Sequence, residues 1–126
     1  MNMNQSIIQK IGEERQVDHP RENRPGIFMH IRDGKFDASS WDAMISTLRS
    51  ITTPLSDNEA ATLSRHLWLV PILMITKQRY MEQRGFSADD LNKRRGELEH
   101  EMWRLIGPPG RLGPDAMRRL GSQTNP

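Results

Sequence analysis

Polar side chains interrupt the hydrophobic ones every few residues along this chain, except between residues 67 and 75, where nine consecutive side chains are apolar. A helix formed by this run would be apolar on every side, whereas a surface helix normally keeps a polar face. The run is too short to cross a bilayer, which takes about 20 apolar residues. It must therefore be covered by the rest of the fold or by another chain.

The first of three predicted helices covers residues 37–52. Asp37 is placed to cap it, and Phe36 can pack on Trp41 as a hydrophobic staple. Apolar residues then recur at helical spacing and form one stripe: Trp41, Met44, Ile45, Leu48 and Ile51. The sequence Thr52-Thr53-Pro54 ends the helix, because a residue before proline avoids the α conformation.

The second predicted helix covers residues 56–83 and contains the apolar run. Ser56 and Glu59 have the spacing of a capping box. Pro71 lacks the N–H that a regular helix would direct to the carbonyl of Leu67, so the segment either kinks there or divides into two helices. Because the apolar pattern resumes in phase beyond Pro71 without turn residues, we predict one kinked helix.

The third predicted helix covers residues 87–106. Gly85 ends the preceding element, Ser87 is its N-cap, and Asp90 occupies the capping-box position. Apolar side chains recur along the segment, and the sequence Gly-Pro-Pro-Gly at 107–110 is a strong stop signal. A small all-α domain of three principal helices is therefore expected over residues 36–106.

The two flanks are expected to be irregular arms. Residues 1–35 are expected to form an N-terminal arm that is extended over 12–26, with one or two helical turns at Ile7, Ile8 and Ile11. Residues 27–31 could form a short strand followed by an Asp33-Gly34 turn, although a lone hairpin is marginal and packing on the helices is the alternative. Residues 107–126 are expected to form a proline- and glycine-rich connector and a polar tail, with a short helix near 114–120.

Composition places the chain among single-domain proteins and excludes some chemistry. It has 126 residues, 27% of them charged, a mean hydropathy of −0.73 and no cysteine, so disulfides and cysteine-based zinc sites are excluded. The N-terminus lacks the pattern of a signal peptide, which favours a cytoplasmic location or a particle assembled in the cytoplasm. The sequence pI is 9.4, yet residues 36–106 carry nine basic and ten acidic side chains, so no strongly basic face is expected.

The apolar run supplies the leading hypothesis about function. The two other predicted helices each offer only one narrow apolar stripe, which is little to surround a helix that is apolar on all sides. The alternative is a central core helix that its neighbours cover completely. The run therefore predicts a set of partner-binding residues: Leu67, Trp68, Leu69, Ile72 and Ile75.

A second and weaker candidate is a basic cluster that could contact anions or nucleic acid: Lys93, Arg94, Arg95, Arg118 and Arg119. Acidic residues lie four positions from each of the first three, which favours ion pairs within the helix. No aromatic residues alternate with the basic ones to stack on bases. Glu97 and His100 give one Glu-x-x-His spacing, but a di-iron bundle needs two copies.

The sequence holds no recognised catalytic, cofactor-binding or metal-binding motif, so no enzyme activity and no cofactor are expected. The leading expectation is a non-enzymatic interaction protein, such as an adaptor, a regulator or a small structural subunit of a larger assembly. It would dock onto another protein or a second copy of itself through its apolar helix and terminal arms. The alternative is a small helical nucleic-acid-binding regulator.

Overall fold

The computed structural model of the protein describes residues 2–107, which form α-helices and contain no β-strand. The all-α fold class predicted from the sequence is confirmed, but the described residues hold seven α-helices instead of three, and a 3-10 turn at Glu13–Arg15 follows the first of them. The helices are α1 Met3–Gly12, α2 Ile27–Arg32, α3 Ala38–Arg49, α4 Asp57–Leu67, α5 Val70–Thr76, α6 Gln78–Gln83 and α7 Ala88–Leu105. The predicted C-terminal tail and its short helix lie outside the described part of the chain.

Helices α3 and α7 lie within three residues of their predicted bounds because their start signals are local. The Phe36 and Trp41 rings lie 5.6 Å apart, so the predicted staple at the start of α3 is confirmed. Asp37 occupies the N-cap position, but its carboxylate accepts a hydrogen bond from the Ser40 hydroxyl instead of from the backbone. At α7, the Ser87 hydroxyl accepts from the backbone N–H of Asp90 at 3.0 Å.

The prediction of one kinked helix over residues 56–83 was wrong, because this segment forms three helices. Helix α4 starts at the predicted capping box of Ser56 and Glu59 and ends at Leu67. Pro71 is the second residue of α5, where a missing N–H breaks no helical hydrogen bond. The second interruption is at Lys77, whose φ and ψ of −101° and 2° leave the helical region.

The N-terminal arm is far more ordered than its composition indicated. Helix α1 spans ten residues and starts with a capping box, in which Asn2 and Gln5 each accept a hydrogen bond from the other's backbone N–H. Ile8 and Ile11 on this helix are buried in the core. The expected one or two turns are thus a complete helix, which burial of its apolar face stabilises.

Residues 27–31 form helix α2, so the suggested short strand was wrong. A helix satisfies its own backbone hydrogen bonds, whereas a single strand here would have no described partner strand. It also places Ile27, Phe28 and Ile31 together in the core. Gly34 follows with a φ of +74°, the conformation that ends many helices and that glycine adopts without strain.

All seven helices contribute to one hydrophobic core. Helix α1 packs against α3 and α4, α2 packs against α5, and α7 packs against α3, α4 and α5. Arg104 of α7 donates hydrogen bonds to the carbonyls of Leu48 and Ile51, at 3.0 and 2.8 Å, at the carboxyl end of α3. The same guanidinium pairs with Glu101, which is itself buried. Arg104 thus supplies donors for carbonyl groups, which the end of a helix otherwise leaves unsatisfied.

A buried carboxylate organises the loop between α1 and α2. The Glu14 side chain is 1% exposed and accepts two hydrogen bonds from the Arg24 guanidinium and a third, at 3.1 Å, from the backbone N–H of Ile27. His19 is also buried; its Nδ1 accepts from the backbone N–H of Arg21, which leaves Nε2 to donate to the Lys10 carbonyl at 3.2 Å.

Two further features hold this loop in place. Glu22 pairs with Lys10, at 2.6 Å, and with Arg24, and these contacts lower the pKa of Glu22 to about 2. Gly26 passes close to the loop backbone, because a β-carbon at this position would lie 2.0 Å from the carbonyl oxygen of Gln16. Only glycine fits there without moving the backbone.

We expect the substitution Glu14→Gln to lower the free energy of unfolding by about 2–3 kcal/mol, because it removes the buried charge that pairs with Arg24, whose side chain is only 12% exposed. Chemical denaturation with a global fit of the unfolding curves measures this loss. Glu13→Gln is the matched control: Glu13 pairs with the half-exposed Arg21, so its loss should cost less than about 1 kcal/mol. Equal effects of the two substitutions would contradict a special role for Glu14.

Candidate docking surface and adjoining groove

The structure divides the apolar run between the core and the surface. Leu67, Val70 and Met74 are fully buried or nearly so. Four neighbouring side chains remain 42–56% exposed, and we call them the apolar ridge: Trp68, Leu69, Ile72 and Ile75. Four of the five predicted partner-binding residues are therefore at the surface, and Leu67 is in the core.

Helical geometry explains this division. Residues 68, 72 and 75 follow the i, i+4, i+7 spacing that places side chains on one face, and the backbone of Trp68 and Leu69 stays in the α region across the break between α4 and α5. The opposite face carries the buried residues of the run. The exposed face consists of large apolar side chains next to one another, whereas exposed apolar residues on a protein surface are usually single and scattered.

A groove with a volume of about 610 Å³ lies beside the ridge, between α2 and the α4–α5 segment, and we call it the basic groove. Its lining includes two residues of the ridge and combines an apolar floor with basic side chains: Arg15, Phe28, Met29, Arg32, Arg65, His66, Trp68, Leu69, Val70 and Leu73. The volume is typical of sites that accommodate a ligand or a few side chains of a partner.

The three arginines of the basic groove have no acidic partner in the described part of the chain. Within residues 2–107, no carboxylate lies within 4.0 Å of the guanidinium groups of Arg15, Arg32 or Arg65. Arg65 donates one hydrogen bond, to the Thr62 hydroxyl at 3.3 Å, while its Nε atom is buried without an acceptor. A buried donor without an acceptor costs free energy, and this Nε atom lies out of reach of solvent.

His66 is neutral at physiological pH and lies at the close approach of α4 to α1. Burial, together with the nearby charges of Arg15 and Arg65, lowers its pKa to about 4. Its Nδ1 atom is buried without a hydrogen-bond partner. A β-carbon on Gly12 would come within 2.8 Å of the imidazole ring, so glycine at this position allows the ring to sit against α1.

The predicted basic cluster on α7 is largely neutralised by its own chain. Arg94 pairs with Asp90 at 2.9 Å and with Asp42 at 2.8 Å, and Arg95 pairs with Glu99 at 3.4 Å. Lys93 has no ion pair among the residues described. Arg118 and Arg119 lie outside the described residues, so the structure does not place them near this cluster. The paired arginines make α7 a weak candidate for binding phosphates.

Metal and membrane sites find no support in the described segment. Glu97 of the Glu-x-x-His spacing pairs with Arg49 at 3.4 Å, and residues 2–107 contain no group of three acidic or histidine side chains that could hold a metal ion. In the same range, no helix is both long and apolar enough to span a bilayer.

Sequence reasoning missed the basic groove. Arg15, Arg32 and Arg65 lie far apart in the chain, and each is surrounded by different neighbours in sequence. No local spacing signals that a 3-10 turn, α2 and α4 bring them to one groove. The exposed Trp103 was also missed, because its helical position is compatible with either a buried or an exposed face.

The low pKa of His66 predicts a specific pH dependence of stability. The unfolded chain binds a proton to this residue near pH 6.5, whereas the folded chain resists protonation until about pH 4. Stability should therefore fall as the pH drops from 6.5 to 4, with His66 contributing about 1–2 kcal/mol after allowance for its partial exposure. Denaturation curves at several pH values measure this slope.

His66→Gln should flatten that slope, because glutamine does not titrate. His100→Gln is the matched control, since His100 is exposed on α7 and its loss should leave the slope of the wild-type protein in place. The assignment to His66 would be wrong if both variants kept the wild-type slope.

The chain was compared with protein-family models, with curated protein sequences and with solved structures, and none of them matches it.

Proposed function

We propose that the protein is a non-enzymatic interaction protein that docks onto another protein through the apolar ridge. One observation carries this proposal: four large apolar side chains stay exposed side by side although the core beneath them is already filled by the opposite face of the same segment. Residues that were needed only for folding would be expected in the core. Exposed apolar groups of this size favour association, because covering them removes apolar surface from water.

The aromatic residue of the ridge strengthens the proposal. Trp68 is 43% exposed; it belongs to the ridge and also lines the basic groove. Tryptophan is enriched among the residues that contribute most to binding, because it combines a large apolar surface with one hydrogen-bond donor. Its position between an apolar surface and charged side chains resembles the general pattern of an interface, with an apolar centre and a polar rim.

A nucleic-acid-binding regulator is the second candidate. The observation in its favour is that three arginines without an acidic partner among residues 2–107 line the same groove as an exposed tryptophan, which could stack on a base. Salt distinguishes the two functions. Binding through several phosphates weakens by orders of magnitude between about 50 and 200 mM salt, whereas docking of an apolar ridge changes little.

We expect Ile72→Asp to abolish association while leaving the protein folded, because the side chain is 46% exposed and a charge there opposes burial in an interface. Sedimentation velocity measures self-association, and affinity capture with the purified chain as bait measures binding to other proteins. Circular dichroism and thermal denaturation check that the variant is folded.

Trp103→Asp is the matched control for this experiment. Trp103 is 62% exposed in the last turn of α7, away from the ridge residues in sequence and next to Arg104, which contacts the end of α3. This variant should associate as the wild-type protein does. Unfolding of the Ile72→Asp variant would show that Ile72 is needed for the core. An equal loss of association with both variants would indicate non-specific apolar association. Either result would contradict the proposal.

A further inference from the structure

We propose that the basic groove binds an acidic amphipathic segment of the protein partner, with apolar side chains on the groove floor and carboxylates on its arginines. This inference rests on the proposed interaction function and deepens it, because it names the chemistry of the partner. It adds a second surface, since the ridge alone would accept many apolar partners. The groove would select those that also carry negative charge.

The floor of the groove fits apolar side chains. Phe28 and Met29 of α2 line it together with Leu69 and with Val70 and Leu73 of α5. Methionine and aromatic side chains adapt to apolar groups of different shapes, so they are common in grooves that bind amphipathic helices. A phosphate or a sugar would gain little from this floor, because both need polar partners.

The rim of the groove fits carboxylates. Arg15, Arg32 and Arg65 belong to three different elements, and none of them is neutralised by an acidic side chain of residues 2–107. The planar guanidinium group forms two parallel hydrogen bonds with a carboxylate, which gives geometric specificity as well as attraction.

Because His66 is neutral, only the arginines give the groove its positive charge. Because its pKa is about 4, the imidazole adds no charge to the groove near pH 7, and the arginines carry the entire positive charge of the lining. An acidic partner therefore matches the groove better than a basic one.

A protein segment is favoured over nucleic acid. Nucleic acid would require basic side chains that follow a backbone and several stacking platforms, whereas the groove offers three arginines and one tryptophan.

A phage-displayed library of random peptides of about 16 residues, selected on the full-length protein, tests the inference directly. We expect the enriched peptides to combine aspartate or glutamate with large apolar residues at helical spacing. The tightest enriched peptide, labelled with fluorescein, is then titrated by fluorescence anisotropy. No enrichment, or enrichment of neutral or basic peptides, would overturn the proposal.

Charge variants locate the binding site. The double substitution Arg15→Gln and Arg32→Gln should weaken binding of the labelled peptide by about tenfold or more, because both residues are exposed and charge-assisted hydrogen bonds are lost. The matched control, Arg79→Gln with Arg84→Gln, removes two exposed arginines that do not line the groove and should change the dissociation constant less than about twofold. Equal effects would refute the assignment to the groove.

Two competing ligands and one variant separate this inference from its alternatives. A fluorescein-labelled oligo-dT strand and vesicles of phosphatidylcholine with phosphatidylserine should bind more weakly than the peptide at about 150 mM salt; tighter binding of either would replace the peptide by that ligand.

If Ile72→Asp abolishes association while the Arg15/Arg32 variant retains it, the ridge function stands and the acidic partner is wrong. If Ile72→Asp has no effect but the arginine variant does, the groove stands and the ridge proposal is wrong.

Discussion

The interaction on which the candidate site depends is the buried contact between Glu14 and Arg24. It joins the end of α1 to the start of α2, because the same carboxylate also accepts a hydrogen bond from the Ile27 backbone. Helix α2 has only six residues, which is too short to be stable in isolation. Its side chains form one wall of the basic groove, so that wall exists only where the Glu14 carboxylate holds the start of the helix.

The second constraint is the proline in the apolar run. Pro71 cannot donate to Leu67, so α4 ends there and α5 begins with the proline in its first turn. The chain nevertheless stays close to helical conformation, and the run keeps one buried face and one exposed face. The break places Trp68 and Leu69 between two helices, where they belong to the ridge and also line the groove.

Sequence reasoning succeeded where the signal is local and failed where it depends on packing. The capping residues of α4 and α7 and the Phe36–Trp41 staple are contacts within a few residues, so the sequence predicts them. Helix α2 was ambiguous because a run of five residues, four of them apolar, fits a strand as well as a helix, and only burial of Ile27, Phe28 and Ile31 decides between them. The order of the N-terminal segment could not be anticipated, since the partners of Glu14 are ten and thirteen residues away.

The candidate site follows the same division. Exposure of the ridge could be suspected from the apolar run, although the sequence did not reveal that Leu67 faces the core. The groove needs Arg15, Arg32 and Arg65 to meet across three elements, and this meeting depends on the loop that Glu14 and Gly26 shape. Three arginines that meet in one groove, with no acidic partner among residues 2–107, are more informative about a partner than the net charge of the chain. The small surplus of positive charge in the whole sequence therefore matters less than the place where the structure leaves positive charge unpaired.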